Sequence, residues 1–368
     1  MATTPRQRLP RVVFGVDLAI VRPAVQITHS EVESRRFGLR VLRAVLDDVD
    51  PDTLREALVA AHADIAICRM QALLLSRLAR LEGLGMPVLV ADTLVHYERD
   101  LLPPLGAPRN TDLEYVEGNE ADGGHVRRLV EEAFPGYASH YASNPVLDRQ
   151  GILEGYVEWA VGYLDGAPER RVWLARRAGK PVALATCRYE GDTVEGVLYG
   201  VLPEVKGQGI YRDLIRFTAA DAARRGHTRM HVSTQVYNFA VQKVWVDEGF
   251  VMRSAQVTFH VNALLDSSSP GAVAADLSAG HDPGWVDREV RLCFAEALPG
   301  RAEAVVGLRQ WSSSQPLSPG ERCRLRVGFP ATGGVGPAAV VQVNDEAGAL
   351  RHLAYYALAP ATGEHDGR

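Results

Sequence analysis

The sequence predicts an α+β protein in three regions: a smaller αβ region at 1–105, a larger α+β region at 111–262, and a small β-rich region at 281–360. Three observations lead there. Short apolar runs alternate with helical stretches before residue 100. Near residue 205 a strand enters a Gly-rich loop and a helix starts at once. After residue 300, β-like runs alternate with Gly/Pro turns. The 368 residues suit two or three domains of roughly 100–200 residues each. With 46% apolar and 23% charged residues, collagen, long disorder and disulfide-rich mini-proteins are excluded. No apolar run reaches about 18 residues, so no membrane span is expected. The charges of Met1–Arg11 have no apolar stretch behind them, so no signal peptide is expected and the location read is cytoplasmic. A net charge of −5 speaks against a general nucleic-acid binder. Only Lys180, Lys206 and Lys243 are lysines; the other 37 of 40 basic residues are arginines, as a GC-rich genome would give.

In the first region Val12–Phe14, Ala19–Val21, Ala63–Arg69 and Pro87–Thr93 read as strands. Thr53–His62 and Gln71–Glu82 read as helices, the second closed by Gly83 and Gly85. Leu102–Asn110, with three prolines and Gly106, reads as a linker. The second region opens with strand Leu113–Glu117 and helix His125–Phe134, then an irregular stretch over Gly136–Leu147 and a helix over Gly151–Leu164. Strands Arg171–Arg177, Pro181–Glu190 and Thr193–Leu202 follow, joined by turns at Gly179-Lys180 and Gly191-Asp192. Then come helix Tyr211–Arg225, strand Arg229–Thr234, helix Phe239–Glu248 and strand Ser254–Val261. Leu264–Gly280 reads as a second linker, Val286–Glu296 as a helix, and Ala304–Leu308, Arg322–Phe329, Ala338–Val343 and Leu350–Leu358 as strands. Cys68, Cys187, Cys293 and Cys323 lack metal or redox spacing and read as buried apolar residues.

The chemistry concentrates between Val194 and Val261. Lys206-Gly207-Gln208-Gly209 stands directly before a helix. A helix N-terminus offers unpaired N–H groups and the positive end of a dipole. Two glycines let a bulky anion approach the backbone, which makes a pyrophosphate site. Alone, such a loop is equally a tight strand-to-helix turn. The order strand, Pro203, Lys206-Gly207-Gln208-Gly209, helix, strand, Asn238, short helix, Gly249-Phe250, strand resembles the acetyl-CoA-binding half of the GNAT superfamily of N-acyltransferases. Lys206 to Tyr211 fall on the family's Gln/Arg-x-x-Gly-x-Gly/Ala loop, with Tyr211 where a small residue is usual and Val241 where Ala is usual.

The resemblance implies a GNAT acyltransferase fold with a mixed, splayed central sheet and acetyl-CoA, or another acyl-CoA, as cofactor. It implies that pantetheine pairs with the backbone of Gly200, Val201 and Leu202 and that the diphosphate sits on Lys206, Gly207, Gln208, Gly209, Ile210 and Tyr211. Asn238 is implied near the thioester; its plain reading is a helix N-cap, and the two roles can coexist. Over residues 12–262, Phe14-Gly15-Val16-Asp17, Val232-Ser233-Thr234-Gln235 and Asn238 look like the TDP-fucosamine acetyltransferases. Those acetylate the amine of a nucleotide-linked amino-dideoxy sugar. A small-molecule amine acceptor of that kind, and a homodimer, are the implied partners.

One departure bears on mechanism. The family's acid is a Tyr seven residues past the Asn, and here that residue is Trp245, a donor that is no acid near neutral pH. Trp245 is read as packing against cofactor or core. Tyr237, then Tyr211, are the candidate acids; solvent protonation, or binding without efficient transfer, are the other readings. Glu190 and Glu195 are the candidate bases, or simply exposed strand carboxylates. His140 and Tyr141 lie where the resembling enzymes gather acceptor-binding residues; a surface histidine is the plain reading of His140. Trp285, Trp311, Tyr355 and Tyr356 in the last region read as core aromatics or a carbohydrate-binding face. An acyl-CoA sensor without catalysis, or an enzyme acting on a carrier-protein thioester, are the alternative functions.

Overall fold

The computed structural model describes residues 26–144, 146–265 and, beyond them, residue 347 and the segments 305–311, 322–327, 337–344 and 350–358. The strands expected at Val12–Phe14 and Ala19–Val21, the Phe14–Asp17 motif and the helix at Val286–Glu296 lie outside these.

The first elements are β1 (Gln26–His29), α1 (Glu31–Phe37), β2 (Val41–Leu46), α2 (Pro51–Ala60) and β3 (Ile65–Gln71). Asp50 caps α2 by accepting from the Asp52 N–H, and Pro51 supplies the preset φ of a first helical residue. The expected helix after β3 is a 3-10 helix over Ala72–Leu84. Leu78, Leu81 and Leu84 recur every third residue, the 3-10 period, and face the core, while Leu75 is exposed. Leu81 and Leu84 are buried. β4 (Val88–Asp100) runs well past the expected end at Thr93, because strands pair along both its edges.

After the linker come β5 (Leu113–Glu117), α3 (Gly123–Ala133), α4 (Arg149–Val161), β6 (Arg170–Arg177), β7 (Lys180–Glu190) and β8 (Thr193–Val201). The β6–β7 turn is made by Ala178 and Gly179, both at positive φ, so Lys180 already belongs to the strand. Then follow α5 (Ile210–Arg224), β9 (Arg229–Gln235), α6 (Phe239–Asp247) and β10 (Val251–Asn262).

Ten strands form one mixed sheet in the order β1-β2-β3-β10-β4-β9-β8-β7-β6-β5. The β2–β3 and β8–β9 pairs are parallel and the others antiparallel. β4, from before the linker, sits between β9 and β10, so the first two regions share a sheet. One core packs α3, α4 and α5 on β5 to β9; the other gathers β2, β3, β10 and α2. The protein is of the α+β class. No helix among the described residues is long and apolar enough to cross a membrane.

The C-terminal strands β11 (Val305–Trp311), β12 (Arg322–Val327), β13 (Pro337–Asn344) and β14 (Leu350–Leu358) form an antiparallel sheet in the order β11-β14-β13-β12. Tyr355 is wholly buried, joins the second core and donates to the Ala263 carbonyl at 2.8 Å. Tyr355 is thus a core aromatic.

Candidate active site

The site begins where β8 and β9 part. They pair in parallel only from Thr193–Arg229 to Gly196–Val232. Beyond that fork β8 still pairs with β7, and β9 with β4, but their facing edges separate. The edge of Val197–Val201 is therefore a strand edge open to an extended partner. Gly196 permits the local geometry: a Cβ there would stand 2.8 Å from the Tyr199 ring.

A cavity of about 840 Å³ opens on this edge. Gly200 and Val201 line one side, Lys206 to Tyr211 another, and Asn238 and Trp245 a third. Gly207 and Gly209 have φ of 80° and 79°, left-handed values that glycine adopts without strain. Gly209 is the N-cap of α5, and no side chain caps the helix. Its first N–H groups are thus free for an anion. Asp213 is held away from that role, because it accepts from the Arg109 and Asn110 N–H groups at 2.9 Å each. Asn110 in turn donates to the Gln208 carbonyl at 3.1 Å, so the linker braces the loop.

Leu202 departs from its expected place. It is buried, its N–H is spent on the Val182 carbonyl at 3.0 Å, and it does not line the cavity. The chain has left β8 by then. The ring of Tyr211 leaves the loop open: it packs beside Tyr199 and accepts a hydrogen bond from Trp245 Nε1 at 3.1 Å. Trp245 is buried against Tyr97 at 5.4 Å and also lines the cavity. Asn238 donates to Thr234 Oγ1 at 3.0 Å and its side chain caps no helix.

A second cavity, of about 680 Å³, lies on the other side of the fork, walled by α1, β2, β3, the irregular stretch and α4. Tyr137, Val197, Leu198, Ser233 and Thr234 line both cavities. Tyr137 is wedged edge-on between Phe134 and Tyr156 and its hydroxyl donates to Gln235 Oε1. Burial pushes that hydroxyl's pKa up, so it holds its proton at neutral pH. Its place in a stretch without periodicity hid it from the sequence.

The three expected catalytic residues are not brought together. Tyr237 is exposed and lines neither cavity; partial burial still pushes its hydroxyl up to about 12. Glu190 is exposed at the β7–β8 turn, opposite Thr193, and lines neither cavity. Glu195 lines the second cavity one residue before the fork, paired with Arg188 at 2.7 Å. His140, far from a surface residue, is buried, lines the second cavity and meets His260 at 3.0 Å. The buried thiols of Cys68 and Cys187 are pushed up to about 12, which leaves them inert as nucleophiles.

Residues 127–250 match the acetyltransferase (GNAT) family. The chain carries a GNAT acetyltransferase domain. No curated protein matches it. Among solved structures, a GCN5-related N-acetyltransferase from Sphaerobacter thermophilus is similar at 15% identity over 64% of this chain and 75% of that one, with a TM-score of 0.45. One from Kribbella flavida is similar at 17% identity over 61% and 82%, with a TM-score of 0.40. An aminoglycoside N-acetyltransferase in complex with CoA is similar at 19% identity over 40% and 92%, with a TM-score of 0.30. The domain is that of an acetyltransferase and its cofactor is acetyl-CoA. The residues present fit that cofactor: an open strand edge for an extended amide-bearing arm, and uncapped helix amides behind two glycines for a diphosphate.

Proposed function

We propose that this protein is an acetyl-CoA-dependent N-acetyltransferase acting on a small amine, specifically the amino group of a nucleotide-linked amino-dideoxy sugar. One observation carries the reading: two cavities of cofactor and substrate size meet at the β8–β9 fork, and Tyr137 lines both. The second cavity, about 680 Å³, falls within the roughly 300–1,000 Å³ of small-molecule sites. Its rings at Phe37, Tyr156 and Trp159 suit a sugar or base face.

Gly200 and Val201 offer their backbone to the pantetheine arm, the amides after Lys206 hold the diphosphate, and Asn238 stands near the arm's reactive end. When bound, the cofactor supplies an acetyl thioester. Tyr137 turns its hydroxyl proton from Gln235 Oε1 toward the sulfur, the part first assigned to Tyr237. Glu195 and Val197 both line the second cavity, and Val197 lines the first as well. Glu195 takes the amine proton through water; Glu190, at the far turn, has no part.

The test is thiol release from acetyl-CoA across a panel of amines that includes a nucleotide-linked 4-amino-4,6-dideoxyhexose. Tyr137→Phe is expected to lower kcat by roughly a hundredfold with acetyl-CoA binding kept, while Tyr237→Phe leaves the rate unchanged. A panel giving no release above hydrolysis would end the reading.

A further inference from the structure

The second cavity contains five arginines, and four of them are ion-paired, Arg36 sharing its carboxylate with the exposed Arg35. Arg36 pairs with Glu158 at 2.8 Å, Arg43 with Glu33 at 2.7 Å, Arg170 with Asp165 at 3.0 Å, and Arg188 with Glu195 at 2.7 Å. Arg69 is the exception. Among the described residues no carboxylate lies within 4.0 Å of it and no side chain accepts from it. Its Nε is buried without a hydrogen-bond partner. The register places Arg69, Thr258 and Asp92 in one row across β3, β10 and β4, so Asp92 stands two strands away. Burial also pushes the Asp92 carboxyl's pKa up, which weakens it as a counter-charge. A guanidinium stays charged even when burial opposes it, and a half-buried one without a partner is costly unless a ligand completes it.

A neighbouring group is fixed as a donor. Asn144 Oδ1 accepts from the Val146 N–H at 3.1 Å, which orients the amide. Asn144 Nδ2 then donates to His260 Nδ1 at 3.0 Å. His260 must therefore donate from Nε2 to His140 Nδ1, 3.0 Å away. His140 is left with its proton on Nε2. It cannot serve as a base, and its ring lines the cavity with the proton on Nε2. The Tyr141 hydroxyl is already spent on Glu33. What this wall presents is one cation without an ion pair among the described residues and one neutral donor.

We propose that the acceptor carries an oxyanion, a carboxylate or a phosphate, alongside its amine, and that Arg69 binds it. The inference rests on reading this cavity as the acceptor side. In a nucleotide-linked sugar the diphosphate plays the part; in a simpler amine a carboxylate or monophosphate does. A guanidinium fork suits either group through paired N–H donors.

The experiment uses the full chain saturated with CoA, so that the phosphate loop is filled, and adds inorganic phosphate or acetate against sodium chloride at equal ionic strength. A ligand of the folded state raises Tm with its concentration. The expected result is a rise with phosphate, acetate or both, the stronger anion naming the source. In Arg69→Met the affinity falls roughly tenfold, and in Arg69→Lys by less. Slower phenylglyoxal labelling of Arg69 in the wild-type protein with the anion present reads the same contact without any variant. No rise beyond chloride, or equal rises in wild type and Arg69→Met, would overturn the proposal. The amine panel separates the two ideas. Acetyl transfer indifferent to a charge on the amine removes the role of Arg69 and leaves the enzyme; anion protection at Arg69 with no transfer to any amine removes the enzyme and leaves the site.

Discussion

Tyr137 and the His140–His260 pair both matter through what surrounds them rather than through their local sequence. Burial is the first cause holding both imidazoles neutral: His260 is pushed down to about 4, and His140 falls well below its ordinary value. An unfolded histidine titrates near 6.5. As pH falls, the unfolded chain therefore takes up these protons before the folded one does. Stability is complete above about 6.5 and is lost as pH drops from there toward 4. His260 alone accounts for a loss on the order of 3 kcal/mol by the lower end. Urea unfolding between pH 7.5 and 5 should show the fall, and His260→Asn should flatten it; equal slopes in both proteins would refute the assignment. The sequence held Asn238 and the glycine loop in plain view, because spacing along the chain defines them. It concealed Tyr137 and the His140–His260 contact, whose partners lie 98 and 120 residues away, and Arg69, which only the folded cavity shows to be without an ion pair among the described residues.

α5 and its loop were legible because their physics is local: two glycines, an uncapped helix start and one apolar face. The 3-10 helix was legible as helical but not as 3-10, since only Leu78, Leu81 and Leu84 keep the interval of three on the buried side. β4 was half legible, since its second half gains its structure from β9 and β10 rather than from its own pattern. The loop's geometry makes a test with an internal control. Gly209 and Gly226 have φ of 79° and 93°, one before α5 and one after it. Alanine at either position meets backbone strain of about 1–2 kcal/mol. Only Gly209 adjoins the amides assigned to the diphosphate. Gly209→Ala should raise KM for acetyl-CoA roughly tenfold with a modest change in kcat. Gly226→Ala should lower Tm by a similar amount and leave KM alone. Matching KM values in the two variants would show that the loop does not hold the cofactor.

The three-region reading divides the chain at Leu102–Asn110, whereas the sheet crosses that loop without a break. Strand existence was readable from apolar runs; strand order was not, because β10 pairs with β3 and β4 across more than 150 residues of chain. The fork depends on this arrangement. β9 is held from behind by β4 over seven residue pairs, from Leu94–Gln235 to Asp100–Arg229. With that edge anchored, β9 diverges from β8 after Gly196 without exposing its other side. A chain starting at residue 106 would lose β4 and β3, leaving β9 with one bare edge and β10 with two. Buried residues such as Val95, Tyr97 and Phe259 would lose their neighbours or be absent. Unpaired strand edges of this kind promote association between molecules. The expected outcome is that residues 106–368 are recovered aggregated and bind no acetyl-CoA, while calorimetry of the full chain shows residues 26–265 unfolding in one transition. A soluble 106–368 fragment that binds acetyl-CoA as tightly as the whole protein would show that the fork stands without its N-terminal support.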